Sequence, residues 1–188
     1  MKTLKRSILI ILAAVFCLAL CACGETADAD TPEGMKKVES ASTSYTMYVP
    51  QSWTVDMSTG VVSAYASLTD RANVSFTGFA LEDRTTTLDT FWATYSDDFK
   101  TTFGDSMVYF DAEGKETTEP FAAKTTLGGI AANKYVYRAR VTGEVYKFMQ
   151  VTCIVAGNVY ILTYTAVDSA YDAHIKEVND SLTNFNFN

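Results

Sequence analysis

Residues 130–167 read IAANKYVYRARV TG EVYKFMQVTCIVA GN VYILTYTAV. Three long runs of β-branched and aromatic residues are separated by two short breaks, Thr142-Gly143 and Gly157-Asn158. Two-residue, glycine-containing breaks between such runs predict tight hairpins, so 130–141, 144–156 and 159–167 are expected to form an antiparallel meander. In the last two runs both alternating sets are apolar: Val151, Cys153 and Val155 fall in one phase, Phe148 and Ile154 in the other. A sheet that is apolar on both faces must be covered on both.

The covers lie on either side of the meander in sequence. Upstream, Leu88, Phe91, Trp92, Tyr95, Phe99 and Phe103 recur at three- and four-residue intervals. Thr86 and Asp89 stand where a capping pair would, and Gly104 ends the run, which predicts an amphipathic helix of about four turns. Its Asp97 and Asp98 fall on the outer side. Downstream, Tyr171, Ile175, Val178 and Leu182 make one stripe behind a capping Asp168, before Phe185-Asn186-Phe187. Further strands are expected at 44–49, stopping at Pro50 with Trp53 turned back onto the core, and in a hairpin of 60–68 and 72–81 around Thr69-Asp70-Arg71. Another pair is expected at 107–110 and within 117–126, across the turn Asp111-Ala-Glu-Gly-Lys115. The fold class is therefore α+β: a central antiparallel sheet of about six or seven strands with helices covering both faces.

The N-terminus carries an address. Met-Lys-Thr-Leu-Lys-Arg opens the chain, and residues 7–20 follow without a charge. This is the n-region and h-region of a secretory signal. The run is shorter than the roughly 20 residues that cross a bilayer comfortably. It closes on Leu20-Cys21-Ala22-Cys23-Gly24, which resembles a bacterial lipobox. That resemblance implies a diacylglyceryl group on the Cys23 thiol, cleavage after residue 22, and a bacterial envelope protein held on the extracytoplasmic side of a membrane. Two acyl chains bury enough methylenes, at about 0.8 kcal/mol each, for lasting attachment. Residues 23–36 are small, acidic and interrupted by Pro32 and Gly34, as in a flexible tether, and 37–188 form the domain.

Charge and side-chain inventory remove several chemistries. Without residues 1–22, three of the 15 basic residues are lost and none of the 22 acidic ones, leaving 12 against 22, a formal charge of −10. A nucleic-acid surface needs the opposite balance. Cys17 and Cys21 leave with the signal and Cys23 takes the lipid, so Cys153 is the remaining thiol and no disulfide is expected. His174 is the sole histidine, and no Gly-x-Ser-x-Gly elbow accompanies it. With Cys153 and His174 alone, the donors for a zinc site are too few. Asp105, Asp111, Glu113, Glu116 and Glu119 crowd one stretch, but their spacing departs from a calcium loop and Lys115 interrupts them, as in a solvated hairpin. No cofactor is expected, and Gly128-Gly129 alone makes no phosphate loop.

Taken together, Tyr48-Val-Pro-Gln-Ser-Trp53, the helix with Phe91-Trp92, Leu127-Gly-Gly-Ile-Ala-Ala132, Gly157-Asn-Val-Tyr-Ile-Leu-Thr-Tyr164 and the closing Phe185-Asn-Phe187 resemble the PsbP-like (Mog1/PsbP) superfamily, in particular its bacterial lipoproteins. The resemblance spans nearly all of residues 40–187. It implies a sheet-centred sandwich and a binding or assembly module, as on a photosystem in one branch and on a small GTPase in another. No catalytic constellation defines that superfamily.

The basic residues that could serve such a role are Arg138 and Arg140, two apart on one strand, with Lys134 in the same phase. They could clasp a carboxylate or phosphate, or pair with neighbouring acids. Tyr135 and Tyr137, in the opposite phase, are expected in the core. The expected function is non-enzymatic: binding or assembly of an envelope protein partner. The alternative is capture of a small ligand in a pocket between sheet and helix, anchored by Arg138 or Arg140.

Overall fold

The computed structural model describes residues 31–38, 44–58 and 61–188. The expected signal at 1–22 and the expected lipidation site, Cys23, lie outside these residues. In chain order the strands are β1 (Met35–Lys37), β2 (Tyr45–Thr46), β3 (Tyr48–Pro50), β4 (Thr54–Asp56), β5 (Val62–Tyr65) and β6 (Asn73–Ala80). Helix α1 (Leu88–Phe103) follows, then β7 (Val108–Phe110), β8 (Glu116–Thr117), β9 (Ala123–Leu127), β10 (Ile130–Val141), β11 (Glu144–Val155) and β12 (Asn158–Val167). A 3-10 turn (Asp168–Ala173), helix α2 (Ile175–Thr183) and β13 (Asn186–Phe187) close the chain.

The meander forms as its sequence directs. Val141 pairs with Glu144 and Val155 with Asn158, so each connection has two residues. The second loop is Ala156-Gly157, one position earlier than expected, and Asn158 already belongs to β12. Thr142, Gly143, Ala156 and Gly157 all have positive φ (49°, 94°, 50° and 77°), the handedness that lets a two-residue loop match the twist of its strands. Gly128-Gly129 closes a third such loop, between β9 and β10.

The main sheet has nine strands, ordered β4-β5-β6-β12-β11-β10-β7-β8 with β9 also on β10, where six or seven were expected. The surplus comes from short strands: the expected return over 117–126 divides into β8 and β9, and β4, where no strand was expected, pairs with β5 at the edge. The first expected strand likewise divides, into β2 and β3, which join two-stranded ribbons with β13 and β1 respectively. The alternation on β11 assigns the two faces. Phe148 and Ile154 look toward α1, where Trp92, Tyr95 and Phe99 meet Tyr135, Tyr137 and Phe148, and Phe91 meets Val159 and Ile161. Met149, Val151 and Cys153 look toward α2 and the ribbons, sharing a core with Trp53, Leu162, Tyr164, Tyr171, Val178 and Phe185. Both faces are covered, and Tyr135 and Tyr137 are core residues, as expected.

Three local readings are corrected. The α1 cap is Thr87, whose side chain accepts from the Thr90 amide, rather than Thr86 paired with Asp89. Asp168 caps no helix with its side chain; the expected single C-terminal run is split at His174, into the 3-10 turn and α2. At the break, His174 Nε2 meets Asp70 of the β5–β6 turn, a tertiary contact, while Nδ1 meets Glu177 one turn on in α2. Finally, Met35 and Lys36, expected in the tether, are part of β1: Met35 is buried, and β1 pairs with β3. Residues Pro32–Asn188 form one compact unit.

Candidate functional site

The phase of β10 sends Lys134, Val136, Arg138 and Arg140 to the α2 side of the sheet, opposite Val151, Met149, Lys147 and Val145 of β11. There the sheet, the end of β7, the 3-10 turn and α2 enclose a half-open cleft of about 260 Å³. Its floor is Lys134, Val136, Lys147 and Met149, and Tyr171, Ile175 and Asn179 form the helical wall. Phe110, Asp111 and Phe121 close the other side, and Phe121 is one of the large apolar side chains left exposed among the described residues.

Lys147 packs against two aromatic rings. Its ammonium stands 4.4 Å from the Phe110 ring centroid and 4.7 Å from that of Tyr171. Neither Lys147 nor Lys134 makes an ion pair or a side-chain hydrogen bond among the described residues, although both are half-buried. Asp111, on the same wall, is engaged by its own turn, where one carboxylate oxygen accepts from the amides of Glu113 and Lys115. A hollow of about 360 Å³ adjoins the cleft, shares Lys134 and Asn179 with it, and runs on past Thr125, Thr126 and Leu182.

Arg138 and Arg140 are placed differently. Arg138 is ion-paired with Glu116 at 2.7 Å and lies over the Phe110 ring at 5.7 Å. Arg140 donates to the Gly143 carbonyl at 2.8 Å. Both line a separate hollow of about 330 Å³ near Ser106 and Asp168. Of the three sequence candidates, then, Lys134 alone enters the cleft between sheet and helix. Lys147 was missed, although its signal was legible: it occupies the phase of Met149, Val151 and Cys153, where a covered strand is otherwise apolar.

The other titratable constellation is a clamp. His174 Nδ1 is 2.5 Å from Glu177 and Nε2 is 2.8 Å from Asp70, which lies in the β5–β6 turn, and the ring meets Trp53 edge-on at 5.4 Å. Burial works against the charged imidazole, but the two carboxylates outweigh it and raise its pKa. Asp70 is held below the usual carboxylate range by the Ala72 amide and by His174. With both ring nitrogens engaged by acids, His174 has no free nitrogen to activate a nucleophile. Cys153 is fully buried in the core, and burial pushes its thiol up to about 12, which leaves it protonated and inert at neutral pH.

A central antiparallel sheet with one long helix on one face, and a short helix with terminal ribbons on the other, is the Mog1/PsbP-like α+β sandwich, and the chain has this fold. The solution structure of cyanobacterial PsbP (CyanoP) from Synechocystis is similar at a TM-score of 0.59, with 14% identity over 89% of this chain and 98% of that one. The Ran-binding protein Mog1p of Saccharomyces cerevisiae is similar at 0.55, with 12% identity over 81% and 95% of the two chains. At such identities the likeness is one of fold. No protein-family model matches the chain, and no curated protein matches it in sequence.

Proposed function

We propose that this chain is a non-enzymatic binding module, tethered on the extracytoplasmic side of a bacterial membrane through an acylated Cys23, and that its target enters the cleft between the sheet and α2. The observation that carries the binding reading is the pair Lys134 and Lys147, two half-buried cations without acidic partners among the described residues, opening on a cleft walled by Phe110, Phe121 and Tyr171. Neither ammonium has an acidic partner to displace, so a complementary anion gains its charge-assisted contact without breaking an ion pair. The lipobox around Cys23 supports the anchoring. Fractionation and acyl labelling of cells producing the full-length protein test it: the wild type is expected with membranes and carrying the label, and Cys23→Ala without it. Because Cys23→Ala can keep the uncleaved apolar run of residues 7–20, acyl labelling is the deciding readout: a wild-type protein that takes up no acyl label removes the lipid anchor from the proposal.

The cleft and the hollow adjoining it, about 260 and 360 Å³, together have the dimensions of a small-ligand site. A protein partner is the second reading, favoured by Leu68, which is 90% exposed at the tip of the β5–β6 turn. That turn is stiff, because the Ser67 hydroxyl accepts from the Thr69 and Asp70 amides and Asp70 is tied to His174. The similarity of fold to a Ran-binding protein is compatible with it. In-cell cross-linking separates the readings. An envelope protein recovered by the wild type, and lost with both Cys23→Ala and Leu68→Asp, supports the partner; no reproducible capture leaves the small ligand as the target.

A further inference from the structure

We infer that the cleft beneath α2 takes a small, elongated organic anion with a flat or apolar body, an assignment that rests on the cleft's being the binding site proposed above. Lys147 fixes the charged end. The Phe110 and Tyr171 rings lie 4.4 and 4.7 Å from its ammonium and favour that position before a ligand arrives. The rings give it no hydrogen bond, and no acid among the described residues neutralises it. An ammonium has three donors that turn about one bond, and an anion entering the cleft meets them uncommitted.

The body of the ligand follows from the walls. Phe110 and Tyr171 flank the charge, and Phe121, 40% exposed, offers further apolar surface beside it. Its length follows from the ladder. Lys147 pairs with Arg138, whereas Lys134 faces Val151, four positions along β11 and about 13 Å away at strand spacing. Lys134 and Asn179 also border the adjoining hollow, so a ligand with its acid at Lys147 and an acceptor at its far end reaches both. The class is bounded on the other side by charge. With 22 acidic residues against 15 basic in the whole chain, the protein's own field repels a polyanion, and Asp111 adds a carboxylate to the wall near Lys147. One or two negative charges suit the site. Lysines act as point charges rather than planar forks, so the shared chemistry is that of an organic carboxylate or a phosphate monoester.

Calorimetric titration of the detergent-solubilised full-length protein tests this with four probes of similar size: 3-phenylpropionate, phenyl phosphate, 3-phenylpropionamide and phenethylamine. At least one anion is expected to bind ten times or more tightly than the amide, with no binding of the amine, and added salt is expected to weaken the anion. Whichever anion is tighter identifies the source of the charge. Lys147→Met is expected to weaken the anion at least tenfold and Lys147→Arg to restore part of it, while Lys100→Met, on α1 at the opposite face, leaves it unchanged. Equal binding of anion and amide, insensitive to Lys147→Met, overturns the anion assignment and leaves the cleft as a neutral pocket. Anion binding that Lys147→Met does not affect places the site elsewhere and also overturns it. If none of the four binds or raises the melting temperature, the cleft reading falls together with this one.

Discussion

His174 shows how one side chain overrides a helical pattern. The stripe of Tyr171, Ile175, Val178 and Leu182 is continuous in sequence, yet the backbone breaks at His174, where Asp70 and Glu177 hold the ring from both sides. The clamp gives stability a definite pH dependence. A raised histidine pKa contributes stability that is complete below the unfolded value of about 6.5 and lost as pH rises through the folded value. The lowered pKa of Asp70 contributes stability that is lost as pH falls through its folded value. Melting temperature is therefore expected to be highest on the acidic side of neutrality, above the carboxylate range, and to decline above about pH 6.5. His174→Gln should flatten the decline on the alkaline side; an unchanged profile would show that folding does not shift the imidazole's pKa. Gly128 makes the other residue-scale demand. Its φ is +56°, and a Cβ there would stand 2.8 Å from the Phe187 ring and 3.1 Å from the Phe187 amide nitrogen. Gly128→Ala is expected to lose about 1–2 kcal/mol from the left-handed backbone alone, with the clash added, in chemical denaturation.

Among the elements, α1 is secured by one stripe. Trp92 lies parallel to Tyr135 of β10 with ring centroids 3.7 Å apart, and Tyr95 and Phe99 pack around it. At its first turn Asp89 accepts from the buried Asn133, which in turn accepts from Lys124, so the helix start is tied to β10 and β9. Trp92→Ala removes a side chain that is 3% exposed and is expected to cost about 3–5 kcal/mol in denaturant unfolding. The periodicity that announced α1 is the same periodicity that packs it, which explains why its extent was legible, whereas its cap was misplaced by one residue. Thr86 and Thr87 are chemically equivalent in sequence. Only the backbone path out of the Asp83 turn, where the Thr86 amide and hydroxyl both bond to the Asp83 carbonyl, decides that Thr87 caps. The hairpin loops follow the same rule: two residues were expected in each, and pairing of Val155 with Asn158 set which two.

For the whole molecule, the boundary between tether and domain falls earlier than composition indicated. Pro32 and Gly34 read as linker, but the Gln51 amide bonds to the Gly34 carbonyl and Met35 is buried near Asn184 at the end of α2. A chain that begins at Val38 is expected to be less stable than one that begins at Pro32 by about 1.5–3 kcal/mol, the burial of one methionine, in denaturant titration. Equal stability would return β1 to the tether. The sequence by itself determined the meander, α1, the coverage of both faces and the burial of Cys153, Tyr135 and Tyr137. It could do so because strand and helix periods are local and a two-residue turn fixes pairing between neighbours. It also placed Lys134 on the face that forms the cleft. Tertiary structure alone decided that Arg138 is taken by Glu116, while Lys134 and Lys147 face an open cleft without acidic partners among the described residues. Partners such as Glu116 on β8 and walls such as Tyr171 come from elements distant in the chain, and a cation's neutrality depends on who arrives beside it in the fold rather than on its phase along a strand.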